Sequence, residues 1–248
     1  RPQSDHRADR PFADRRHELM PSNIFGYYSG TSRRLEQLFD KHQVRYYKKV
    51  ISPDSTPDEV GNLDLRRLFY CRPSYGPLAL LSYFAFGSDS AKSFLKKNMG
   101  IVGFDSALLV LRKPRWSGSK PTAHQREHGD PRFWYSAGLV KQLLEKLWEH
   151  SLAPISDSNR EQDDYRAKSI TEQQIYIFIK DADALRDIAK AFGDEKTFFA
   201  LLETLDISDL IREVRIWVHR KDTEDEIPFH EISDGEKQLL SVLGLIRF

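Results

Sequence analysis

The residues best placed to do chemistry are Ser233, Gly235, Glu236 and Lys237, within the string Glu231-Ile232-Ser233-Asp234-Gly235-Glu236-Lys237-Gln238-Leu239-Leu240. A short polar turn there feeds an apolar helical run that reaches Phe248. Ser233 is a good helix cap, and Gly235 lets backbone N–H groups approach an anion. The positive end of the helix dipole favours negative charge at the same place. The chemistry expected is phosphate binding. Ser233-x-x-Glu236 also spells an ordinary capping box, which would contribute about 0.5–2 kcal/mol to the helix. A cap alone requires neither Gly235, which weakens a helix by about 1 kcal/mol relative to alanine, nor the Lys237-Gln238 pair.

Other site chemistries are absent or weak. No Gly-x-x-x-x-Gly-Lys-Ser/Thr loop occurs, so the 248 residues cannot cradle phosphates in the P-loop manner, and no hydrophobic strand ends in Asp-Glu. Gly26-Tyr27-Tyr28-Ser29-Gly30 places its serine one position too late for a hydrolase elbow, and His-Glu-x-x-His does not occur. His124 and His128, with Asp130 nearby, would suit a metal on a helix. Gly118, Pro121 and Gly129 favour a solvated loop instead. No catalytic residue and no metal ligand is therefore expected within the chain. The aromatic pairs and triplet Tyr27-Tyr28, Tyr46-Tyr47 and Phe133-Trp134-Tyr135 could stack on bases, but core packing is the commoner use. Cys71, the single cysteine, rules out an internal disulfide and reads as a small buried hydrophobe.

The elements that must position the turn follow from periodicity. With 38 basic and 37 acidic residues, a net charge of +1 gives no whole-chain case for nucleic acid or membrane binding. Residues 1–20 are charged throughout and lack the apolar stretch of a secretory signal, and residues 1–22 read as a solvated connection. The longest apolar run, Leu78 to Phe86, is about half a bilayer span and reads as a buried helix, so a cytoplasmic address without membrane contact is expected. Asn23–Tyr28 and Leu68–Arg72 read as strands. Between them, Ser32 caps a helix with Leu35, Leu38 and Phe39 on one face, and a polar loop covers Ser52–Asp64. Further helices are expected from Pro77, over Ser90–Asn98 with a stop at Gly100, and over Ala137–Ser151, Ala182–Phe192 and Glu195–Leu205. Ser106–Leu111 and Gln174–Lys180 read as strands, whereas Lys113–Arg132 and Ser156–Ser169 read as loops. Val214, Ile216 and Val218 alternate with Arg215, Trp217 and His219 in a strand with one wet face. Asp222–Asp225 turns it into Ile227–Phe229, so a hairpin leads to Ser233.

Ile232 to Gln238 resembles the signature motif of ABC-class ATPases, in particular their soluble SMC-like and OLD-like branch: an apolar residue, Ser, any residue, Gly, Glu, Lys or Gln or Arg, and Gln. Phe25-Gly26-Tyr27-Tyr28-Ser29-Gly30, Cys71-Arg72-Pro73, Gly129-Asp130-Pro131-Arg132-Phe133-Trp134 and Leu239 to Phe248 look like the bacterial "AAA family" ATPases of restriction and phage-defence systems. The resemblance implies an α/β fold. Residues 1–75 would give head strands and a first helix, 76–205 a mainly helical insertion, and 206–248 the hairpin and signature helix. It implies a parent whose P-loop precedes Arg1 and whose acidic strand follows Phe248, this chain being the middle and inactive as an ATPase by itself. The implied ligands are ATP and Mg, and the implied partners are a second head in a homodimer and a nuclease or other effector, with DNA a further candidate. In such a dimer Ser233 and the Gly235 backbone would meet the γ-phosphate held by the other subunit, with Glu236 and Lys237 in support. The glutamine loop of such heads is not evident after Tyr28, since Gln37 already falls within the expected helix. The rivals are a DNA-repair or DNA-end-sensing head of the same class, and a non-enzymatic helical interaction module. Long coiled-coil heptads, which an SMC arm needs, are absent.

Overall fold

A computed structural model describes residues 21, 24–28, 34–50, 56, 68–114, 120–162, 166, 168–223 and 226–247. The expectations for residues 1–20, for Ser29, Gly30 and Ser32, and for nearly all of Ser52–Asp64 lie outside them. In chain order the elements are β1 (Ile24–Tyr27), α1 (Arg34–Val50), β2 (Leu68–Cys71), α2 (Tyr75–Phe86), α3 (Asp89–Met99), β3 (Ile101–Arg112), α4 (Ala123–His128), α5 (Gly138–Glu149), β4 (Ile155–Glu161), β5 (Ile170–Ile179), α6 (Ala182–Lys190), α7 (Glu195–Ile207), β6 (Ile211–Arg220), β7 (Glu226–Pro228) and α8 (Asp234–Arg247).

The chain is mixed α/β, with one parallel and one antiparallel sheet among the described residues. β1 and β2 pair in parallel, Ile24 with Leu68 through Tyr27 with Cys71. The other five strands form an antiparallel sheet in the order β4-β5-β3-β6-β7. β3 is its central strand: Leu109 faces Ile177 of β5 on one side and Val214 of β6 on the other. β3, β4 and β5 come from the segment 76–205, yet β3 is hydrogen-bonded to β6, so the sheet runs across the boundary expected near 205.

α2 explains why the core sits where it does. Tyr75, Gly76, Leu78 to Tyr83 and Ala85 are all buried, and a helix that is apolar on every side can only be central. It packs between α8, α7, α6 and the face of β6. Gly87 ends it and Gly100 ends α3, each in the left-handed conformation that costs glycine least. Among the described residues, no helix is long and apolar enough to cross a membrane.

Three local expectations are corrected. On α1 the buried face is Phe39, Gln43 and Tyr46, while Leu38 is 71% exposed, because a 3.6-residue period puts positions 39, 43 and 46 in line and turns 38 aside. Part of Lys113–Arg132 is helical: Thr122 Oγ accepts from the Gln125 N–H and Gln125 Oε1 from the Thr122 N–H, a capping box that starts α4 despite the nearby glycines and proline. Part of Ser156–Ser169 is strand. β4 alternates no apolar residues because it is a solvated edge, held by its backbone ladder to β5 and by Asn159 Nδ2 donating to Gln174 Oε1 at 3.0 Å.

Candidate functional site

The turn Ile232–Gln238 starts α8 as its sequence requires. Ile232 is buried and anchors the entry, and Ser233 stands at the cap position. Both halves of a capping box are closed: the Glu236 N–H donates to Ser233 Oγ at 3.3 Å and the Ser233 N–H to Glu236 Oε2 at 3.1 Å. Ser233 Oγ also donates to Glu236 Oε2 at 2.7 Å. Lys237 Nζ donates to the His230 carbonyl at 2.8 Å and to Asp234 Oδ1 at 3.3 Å. Glu236 and Lys237 thus brace the turn itself.

Gly235 is different from the other tight glycines. A Cβ on Gly76 would lie 2.8 Å from Ser241 Oγ, and one on Gly26 would lie 2.6 Å from Phe39 Cζ, so those two are glycine because neighbours crowd them. A Cβ on Gly235 would meet nothing within 4 Å. Nor does Gly235 carry a positive φ. Among the described residues neither packing nor backbone conformation asks for glycine at 235.

Beside the turn lies a cleft of about 810 Å³ between the β1–β2 pair, the start of α2, the wet face of β6 and α8. Tyr27 and Tyr28 from β1's end, Tyr70 of β2 and Arg72 just after it, and Asp234, Lys237 and Gln238 from α8 all face it. Two of the strings that carry the family resemblance, Phe25–Tyr28 and Cys71–Pro73, are brought together here by the parallel pairing. The third, Gly129–Trp134, is elsewhere. There Arg132 grips Asp130, with Nη2 at 2.6 Å from Oδ2, and Trp134 Nε1 donates to Gln173 Oε1 at 3.1 Å.

Arg72 organises the cleft floor, a role that no local pattern announces. Its guanidinium reaches Glu36 of α1 at 3.0 Å, Gln43 of α1 at 2.9 Å and Asp206 of α7 at 3.2 Å. Burial pushes the Asp206 carboxyl above its usual range, and the Arg72 guanidinium pulls against that shift. The three acceptors lie far apart in sequence, so only the fold assembles them.

Of the aromatic candidates, Tyr46 and Phe133 are core residues, whereas Tyr27 and Tyr28 are exposed at the cleft. His124 and His128 do lie together on a helix, with ring centroids 4.6 Å apart and planes tilted by 55°, but Asp130 is held by Arg132 and completes no ligand set with them. Cys71 is buried and free, and burial pushes its thiol up to about 12. Comparison of the chain with known protein families, with curated proteins and with solved structures finds no match.

Proposed function

We propose that this chain carries the signature turn of an ABC-class ATPase of a bacterial defence system, and that Ser233 and the Gly235 backbone contact the γ-phosphate of an ATP bound by a partner subunit. The observation that carries this reading is Gly235: it costs helix stability, has empty space where its side chain would be, and stands in the first turn of a 14-residue helix. The N–H groups of Asp234 and Gly235 belong to that first turn, where no intrahelical acceptor exists. Such N–H groups are what an incoming anion would meet.

The closed capping box favours the rival reading of a plain helix start in an interaction module. It does not account for Gly235. Binding phosphate requires one local change, rotation of the Glu236 carboxylate away from Ser233 Oγ, since that hydroxyl can donate to only one acceptor. The hydroxyl would still accept from the Glu236 N–H.

One such terminus with a charged hydrogen bond is worth roughly 2–4 kcal/mol before desolvation. Two symmetric sites would supply about 5 kcal/mol net, near the roughly 5.5 kcal/mol that moves a two-state equilibrium from mostly open to mostly closed. ATP would then hold two heads together and hydrolysis would release them, driving a nuclease or other effector in the cytoplasm. The P-loop and Mg ligands in this reading belong to flanking sequence of the parent. Ser233→Arg in the parent is expected to abolish ATP-dependent dimerisation, followed by light scattering, while ATP binding at the P-loop stays intact. Unchanged dimerisation would refute the assignment.

A further inference from the structure

On the wet face of the sheet, away from the cleft residues discussed above, three strands bring together side chains that are as far apart in sequence as Asp105 and His219. Asp105 of β3, His219 of β6 and Glu226 of β7 each offer one ligand atom, and these atoms lie within 4.8 Å of one another. Asp105 has no partner in the register with β6, because Phe104 faces Val218 and Ser106 faces Trp217. This bulge turns the aspartate side chain out of the regular alternation and toward its neighbours, as bulges beside sites do. His219 lies opposite Glu226 in the β6–β7 ladder and opposite Gly103 in the β3–β6 ladder. A Cβ on Gly103 would come within 3.3 Å of His219 Cδ2, so the glycine leaves room for the imidazole.

The electrostatics leave the group short of positive charge. His219 Nε2 is 3.8 Å from Asp105 Oδ1, and among the described residues no lysine or arginine pairs with either Asp105 or Glu226. The adjacent cation, Arg220, points elsewhere: its Nη2 lies 3.8 Å from Glu236 Oε1 and beside Gly100. Two carboxylates that converge without a cation repel each other, and the imidazole next to them offers a nitrogen as a third ligand atom.

We propose that Asp105, His219 and Glu226 form a binding site for a first-row divalent cation such as zinc. Ligand bonds of about 2.0–2.1 Å at tetrahedral angles bring donor atoms roughly 3.3 Å apart, a closure that rotation of two solvent-facing carboxylates provides. One nitrogen and two oxygens suit zinc or manganese better than calcium, and three protein ligands leave a position for water. The site's consequence is mechanical. Among the described residues β7 is held to the sheet by three residue pairs, Trp217 with Pro228, Val218 with Ile227 and His219 with Glu226, and it leads directly through Phe229–Glu231 into α8. A cation bridging β3, β6 and β7 clamps the hairpin that positions the start of α8. This holds whether or not that helix meets a nucleotide.

The test uses zinc on the chelator-stripped chain at neutral pH, with binding followed by titration calorimetry and amide exchange of β7 by mass spectrometry. Wild type is expected to take up one equivalent, and Ile227 in β7 to exchange at least about tenfold more slowly with zinc than without. Asp105→Asn, His219→Ala and Glu226→Gln, all at solvent-facing side chains, are each expected to weaken binding at least tenfold and to erase the protection. The double variant His124→Ala/His128→Ala controls for the histidine pair on α4 and is expected to bind as wild type does. Equal zinc uptake by wild type and His219→Ala, or β7 exchange that zinc leaves unchanged, would overturn the proposal.

Discussion

Arg72 Nη1 stands 3.2 Å from Asp206 Oδ2, tying the end of β2 to α7 across 134 positions of chain. The same guanidinium pairs with Glu36, so removing it takes one cation from two carboxylates, whereas removing Asp206 leaves Arg72 with Glu36 and Gln43. Arg72→Leu is expected to lower the unfolding free energy by about 2–3 kcal/mol, under the 3–5 typical of a fully buried pair because these side chains keep some water contact. Asp206→Asn is expected to cost about 1 kcal/mol. Urea denaturation of both variants checks the order, and a larger loss from Asp206→Asn would contradict it.

Gly235 and Ser233 separate helix stability from ligand contact. Gly235→Ala should stabilise the isolated chain by a few tenths to about 1 kcal/mol, since the new methyl meets open space and alanine favours the helix. In the parent it should instead impair ATP-dependent association, because the methyl occupies the approach of the phosphate. Ser233→Asp keeps a capping oxygen but adds charge, so thermal stability should hold while association is lost. Opposite directions in the melt and in light scattering are the signature of a contact surface. A destabilised Gly235→Ala chain would mean that glycine serves the fold.

Much of the fold was legible because its periodicities are strong. The all-apolar run of α2, the stop at Gly100, and the alternation Val214, Ile216, Val218 each specify one kind of element. β4 was not legible, because a solvated edge strand draws its stability from a backbone ladder and polar side chains such as Asn159, and so carries no apolar signal. α4 was hidden by its flanking glycines, although Thr122-x-x-Gln125 is a readable cap. At the candidate site the turn itself was readable from Ser233 to Gln238. The cleft beside it was not, since Tyr28, Arg72 and Asp206 share no spacing and meet only through the β1–β2 pairing and the packing of α7.

Cys71 reports on the integrity of the β1–β2 pair. It is 4% exposed, and burial holds its thiol near 12, far above the pH of ordinary labelling. Ellman's reagent at pH 8 is expected to modify the folded chain at less than about one hundredth of the rate seen in denaturant, because the thiolate is scarce and the sulfur is shielded. Rapid labelling of the folded chain would show that β2 opens readily. Arg72→Leu, which unties β2 from α7, is expected to speed the reaction.

The Asp130–Arg132 knot should govern part of the acid response. Burial pushes the Asp130 carboxyl up, but hydrogen bonds from the Arg132 side chain and N–H outweigh it and hold the group below its usual range. A carboxyl whose folded value is depressed stabilises the fold above its unfolded value of about 3.9, and that contribution vanishes as pH falls through the lower, folded value. The stability difference between wild type and Asp130→Asn is therefore expected to be constant from pH 8 to about 5 and to shrink below about 4, as read from urea midpoints across that range. Gly129→Ala provides the independent check on the same knot: its Cβ would lie 2.4 Å from the Tyr135 carbonyl oxygen, while Trp134 and Tyr135 already sit at positive φ and leave the backbone little room to yield. That variant is expected to lose at least about 2 kcal/mol at every pH, with no acid dependence of its own. A pH-independent Asp130→Asn difference would show that the carboxylate's charge contributes nothing to holding this loop.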